Sequence, residues 1–102
     1  METISFEIKT SLANKINNYI KLFGNKDLFF DKFIEFEINQ LKKEIAQMQL
    51  DLNFYEKKYN LNSKEFFEKF ENGDLGDDKN FILWSGIYEM QQNCKHKLEQ
   101  LQ

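Results

Sequence analysis

The stretch IEFEINQLKKEIAQMQLDLNFYEKKY, residues 34 to 59, decides how the chain is read. Within it Ile34, Ile38, Leu41, Ile45, Met48, Leu52, Tyr55 and Tyr59 recur at intervals that alternate between four and three, the pattern of a coiled-coil seam. Proline is absent and no glycine falls between Gly24 and Gly73, so nothing stops a helix before Asn60. A helix beginning after Asn25-Lys26-Asp27 is therefore expected to extend roughly 50 Å at 1.5 Å per residue. One apolar stripe of that length requires a second helix to cover it. The start of the same helix is densely aromatic, with Leu28, Phe29, Phe30, Phe33 and Phe36.

Toward the N-terminus the period changes. Thr3-Ile4-Ser5-Phe6-Glu7-Ile8-Lys9 alternates polar and apolar residues, which predicts a short strand with Ile4, Phe6 and Ile8 facing inward. Leu12, Ile16, Tyr19, Ile20 and Phe23 then fall at helical spacing, with Thr10 or Ser11 as the expected cap and Gly24 as the stop. A lone short strand has no pairing partner elsewhere in the chain, so a second copy of the molecule is expected to supply one.

Toward the C-terminus, Asn62-Ser63-Lys64-Glu65 opens a short helix carrying Phe66, Phe67 and Phe70. The acidic, glycine-punctuated run Glu71-Asn72-Gly73-Asp74-Leu75-Gly76-Asp77-Asp78 predicts a turn, with Asp78 capping a last helix. That helix places Leu83, Ile87, Met90, Cys94, Leu98 and Leu101 on one stripe, beside Phe81, Trp84 and Tyr88. Two fates are open to the aromatic set Phe66, Phe67, Phe70, Phe81 and Trp84: folding back on the long helix, or insertion into a partner.

Composition narrows the function classes. Hydrophobic residues make up 41% and aromatics 16%, enough to bury despite 30% charged residues, so wholesale disorder is excluded. At 102 residues one core is the ceiling. The net charge of −3 is uneven: residues 1–26 carry +2, 27–59 carry −2 and 60–102 carry −3. Every basic residue is Lys, so the bidentate Arg fork that reads guanine is missing. The single cysteine, Cys94, excludes an internal disulfide and fits a reducing compartment. With no signal-type N-terminus and no apolar run of spanning length, a cytoplasmic protein without a membrane segment is expected.

No catalytic machinery is visible. The acids Glu71, Asp74, Asp77 and Asp78 do not reproduce a calcium loop, and His96 has no companion ligand, so neither metal nor cofactor is expected. Cys94 sits on the apolar stripe without an activating base, as a small core residue does.

The layout of strand, helix, Gly24 turn and second helix resembles the ribbon-helix-helix family, on Ile4-Ser5-Phe6-Glu7-Ile8, Leu12, Ile16, Tyr19 and Phe23, over residues 3 to about 40. The resemblance implies a mainly α fold that begins with a short β-strand, and a homodimer whose paired strands enter the DNA major groove. It implies dimer contacts at Ile4, Phe6, Ile8, Phe30, Phe33, Ile34, Ile38 and Leu41. It also implies DNA contacts at Thr3, Ser5, Glu7 and Lys9, with phosphate contacts at Asn25 and Lys26. Glu7 departs from the basic or amide residue common there and weakens attraction to DNA.

The run from Tyr59 to Leu101, with its acidic loop and Trp84, resembles the C-terminal part of small prokaryotic antitoxins, which pair a dimerising module with a helical segment that neutralises a toxin. Two parts are thus expected, a dimerisation module over 1–44 and a helical partner-binding arm over 45–102. Contacts to a cognate toxin are expected from Tyr55, Tyr59, Phe66, Phe67, Phe70, Asp74, Asp77, Asp78, Phe81, Trp84 and Tyr88. The implied function is a type II antitoxin that also autorepresses transcription at its operator. The alternatives are a ribbon-helix-helix regulator without a toxin, and a helical adaptor or inhibitor that does not bind DNA.

Overall fold

The computed structural model describes residues 1–102, and four helices make up the whole of its regular structure: α1 (Thr10–Phe23), α2 (Lys26–Tyr59), α3 (Ser63–Glu71) and α4 (Lys79–Leu101). The chain divides into two compact units, Met1–Phe36 and Glu37–Gln102, with the division inside α2. The mainly helical class agrees with the sequence; the N-terminal strand does not form. Residues 1–9 lack regular structure and are exposed throughout, Ile4 at 80% and Phe6 at 64%. Alternation is a local pattern, whereas a strand exists only when a neighbour takes its N–H and C=O groups, and this chain contains no second strand.

In the first unit, α1 starts after Lys9, which offers no side-chain cap; Thr10 is already helical and caps nothing. Gly24 ends α1 in the left-handed conformation at φ 84°, its N–H donating to the Ile20 carbonyl at 3.1 Å. Asn25 then opens α2, its Oδ1 accepting from the Leu28 N–H at 2.6 Å. Tyr19, Phe23, Phe29 and Phe30 form a chain of ring contacts with centroids 5.0 to 6.3 Å apart. None of these residues is buried. The best-covered side chains of the unit, among them Ile16, Ile20 and Phe29, are only half-buried.

The second unit has a closed core. Asn60 ends α2 at φ 51°, and the Leu61 N–H reaches back to the Glu56 carbonyl, a Schellman closure that turns the chain toward α3. Asn62 caps α3 through Oδ1 to the Glu65 N–H at 2.8 Å, and Asp78 caps α4 through Oδ1 to the Asn80 N–H at 2.8 Å. Leu52, Phe66 and Trp84 are fully buried where α2, α3 and α4 meet. The Phe66 ring lies flat on the Trp84 indole, centroids 3.7 Å apart, while Tyr55 and Tyr59 stack near the indole at 5.6 Å each. The seam over Leu52, Tyr55 and Tyr59 is thus covered within the chain, by α3 and α4.

Candidate interaction surfaces

The polar groups carried inside the second unit are all satisfied. Trp84 Nε1 donates to Ser63 Oγ at 2.9 Å, and Asn80 Nδ2 donates to the Tyr59 hydroxyl at 2.9 Å. Gln91, 1% exposed, donates through Nε2 to the Ile45 carbonyl at 3.2 Å and to Gln49 Oε1 at 2.9 Å. No buried side-chain nitrogen or oxygen lacks a partner. These bonds fix the register of α4 against α2 and α3, and they leave no polar group aimed at an absent ligand. The acids Asp74, Asp77 and Asp78 form no metal-binding group with one another or with a neighbouring ligand residue.

Burial redraws the expected partner-binding set. Phe66 and Trp84 have no exposed surface, and Tyr55, Tyr59, Phe67, Phe70, Phe81 and Tyr88 pack around them. Of the two fates open to these aromatics, folding back is the one adopted. Phe66 and Trp84 shape the module from inside, while the other six keep part of their surface exposed. Among the acids, Asp78 is occupied as the α4 cap, while Asp74 and Asp77 remain exposed.

The expected dimer contacts also separate. Leu41 is 3% exposed and belongs to the second unit, so no other copy can reach it. Ile4, Phe6, Ile8, Phe30, Phe33 and Ile34 all stay exposed in the first unit, and Ile38 is half-buried in the second. The two helical segments of the first unit enclose an open groove of about 600 Å³, floored by Ile16, Tyr19, Phe23, Phe29, Phe33 and Phe36 with Lys15 and Lys32 at its rim. The residues expected to read DNA are not laid out on a ribbon: Thr3, Ser5 and Glu7 lie on the irregular N-terminal segment, Lys9 precedes α1, and the Asn25 side chain is engaged as a cap next to Lys26.

A second apolar surface lies on the paired α2 and α4 helices and was not singled out from sequence. A hollow of about 300 Å³ between Phe54, Tyr55, Leu83 and Ile87 and another of about 430 Å³ between Met48, Met90 and Cys94 occupy the same two helices one after the other. Leu83, Ile87, Met90 and Cys94 share one stripe by spacing, and Leu83 and Met90 on it are exposed, with Ile87 and Cys94 half-buried. Phe54, one residue before the seam position Tyr55, was the available signal: an aromatic just off a seam marks a second uncovered line on the same helix. Desolvation holds the Cys94 thiol above its ordinary range; the Glu44 charge and a 3.7 Å contact to its Oε2 add to this, and Lys97 opposes it. A thiol held protonated in this way is a poor nucleophile.

No helix is long and apolar enough to cross a membrane. No protein-family model, curated protein or solved structure matches the chain.

Proposed function

We propose that this protein is an antitoxin-type partner-holding protein: two copies pair through the first unit, and the second unit holds and neutralises a cognate toxin in the cytoplasm. One observation carries the reading. The first unit has many large apolar side chains and buries none of them, so it is half of a core and lacks the other half. A second copy presents the same face, and joining two uncovered aromatic grooves removes both from water. The second unit supports the other role, since a module with its own closed core can display a surface without unfolding.

The test is co-expression with the product of the adjacent gene. Arrested growth with that product alone, restored by this chain, is the expected result, and a harmless neighbour rules the assignment out. For the pairing, sedimentation of the full chain is expected to give a dimer, with Phe33→Asp shifting it to monomer. A wild-type monomer at micromolar concentration contradicts it.

An adaptor or inhibitor that never touches DNA is the second reading. The irregular N-terminal segment, the absence of Arg and the use of Asn25 as a cap favour it over operator binding. A mobility-shift assay on the upstream DNA at two salt concentrations separates the two, because phosphate contacts weaken steeply with salt.

A further inference from the structure

Resting on the pairing of two copies, we infer that α1 is a conditional helix: in the lone chain residues 1–24 are unfolded, and α1 orders only when a second copy covers the aromatic groove of the first unit. Ordering and pairing are then a single event. Little in α1 itself holds it folded. Its start has no side-chain cap and no acid in the first turn, and Lys9 sets a positive charge beside the positive end of the helix dipole. The helix contains no acidic residue, so no i,i+4 ion pair supports it. Three Asn and the β-branched Thr10, Ile16 and Ile20 lower its propensity, and Ala13 is its only alanine. At 14 residues it has the length at which even alanine-rich helices are marginal in water. The Gly24 closure, Lys21 in the last turn and the Tyr19–Phe23 ring contact are its only local supports, and each is small.

Packing within the chain does not make up the shortfall. Ala13, Ile16 and Ile20 are half-buried and every other residue of α1 is exposed, Leu12, Tyr19, Leu22 and Phe23 among them. The contrast is α3, shorter still at 9 residues, which has the Asn62 cap, Glu65 in its first turn and a fully buried Phe66. The start of α2 differs from α1 as well. It only lengthens a helix that is anchored farther along by the buried Leu41 and Leu52, and extension is far easier than nucleation. The part of the chain without an anchor therefore ends at the Gly24 turn, and it includes the exposed Ile4, Phe6 and Ile8.

Charge favours a second copy as the cover. The first unit carries five Lys against five acids, Glu2, Glu7, Asp27, Asp31 and Glu35, so two copies meet there without net repulsion, while the second unit holds the whole net charge of −3. A strongly charged partner finds no opposite field on the first unit to complement. Lys15 and Lys32 stand at the rim of the groove, where their stems can lie over the apolar floor and their ammonium groups stay in water. Rings from both helices make up that floor, Tyr19 and Phe23 from α1 and Phe29, Phe33 and Phe36 from α2. A body laid across them therefore holds α1 against α2. The concentration of the chain then sets the state of its first unit, with the second unit folded throughout.

The experiment follows the full chain by sedimentation and amide hydrogen exchange from high micromolar to low nanomolar concentration. The hydrogen-bonded amides of α1, from Ala13 to Gly24, are expected to be protected in the dimer and to exchange at the unstructured rate once the copies separate, with those around Leu52, Phe66 and Trp84 protected in both states. Far-ultraviolet circular dichroism should lose about a sixth of its helical signal on the same dilution, the share of α1 among the four helices. Lys9→Ser supplies the missing cap at a residue outside the groove and is expected to tighten the dimer about fivefold, because part of the ordering is then complete before the copies meet. Lys9→Ala removes the same charge without supplying a cap and should stay within about twofold of wild type. Protection of α1 in the monomer equal to that in the dimer, or a Lys9→Ser dimer no tighter than the Lys9→Ala one, overturns the coupling while the pairing stands. A wild-type chain that stays monomeric at every concentration overturns both.

Discussion

The two units are built from similar material and reach opposite outcomes. Residues 1–36 and residues 37–102 are both rich in aromatics on amphipathic helices, yet only the second closes a core, around Leu52, Phe66 and Trp84. The difference lies in the number of helices brought together. The second unit has the later part of α2 and all of α3 and α4, three layers in which one ring can be covered on both faces. The first has α1 and the start of α2, and two short helical segments always leave an outer face on each side of their contact. Apolar content therefore measures what a segment needs to bury, and topology decides whether its own chain can do so.

The sharpest way to break this comparison is to remove a ring from each unit. Trp84→Ala deletes the centre of the second core and should cost about 3–5 kcal/mol in chemical denaturation followed by far-ultraviolet circular dichroism. Phe33→Ala removes a ring that is 65% exposed and should cost under about 0.5 kcal/mol in dilute solution, where copies are apart. Comparable losses from the two would mean that the first unit holds a core of its own.

A smaller change sharpens the account of the second core. Ser63→Ala leaves Trp84 Nε1 without its only acceptor in a fully buried site, an expected cost of about 1–3 kcal/mol against the wild-type unfolding midpoint. Ser63→Thr keeps the hydroxyl and tests whether the hydrogen bond or the tight fit around Ser63 matters more. A loss from alanine under about 0.5 kcal/mol would mean that water replaces the serine oxygen and that the indole edge is less enclosed than its burial implies.

What was legible in the sequence follows the range of the interactions. Gly24, Asn60, Asn62 and Asp78 end or begin helices through bonds to residues within five positions, and each was readable as punctuation. Alternation over Thr3–Lys9 predicts a strand that does not form, because alternation is local while pairing is not. The seam from Ile34 to Tyr59 showed that one face of α2 must be covered without showing by what; α3 and α4 cover Leu52, Tyr55 and Tyr59, whereas Ile34 stays open. The same ambiguity hid the groove on α2 and α4, since spacing places Leu83, Ile87 and Met90 on one stripe and cannot say that the stripe faces outward.

The finest probe compares two asparagine caps of like chemistry, one in each unit. Asn62 Oδ1 accepts from the Glu65 N–H at 2.8 Å and Asn25 Oδ1 from the Leu28 N–H at 2.6 Å. Asn62→Ala should lower unfolding stability by about 1 kcal/mol, because α3 carries Phe66 into the core and fraying its first turn loosens that contact. Asn25→Ala removes a slightly shorter bond from a turn that anchors no buried residue, so its effect should appear as faster amide hydrogen exchange at Leu28 with the midpoint unmoved. Equal shifts of the midpoint would show that the first turn of α2 unfolds together with the second core. The two units would then be one cooperative structure in solution, and the exposed groove of the first would have to be explained without a missing half.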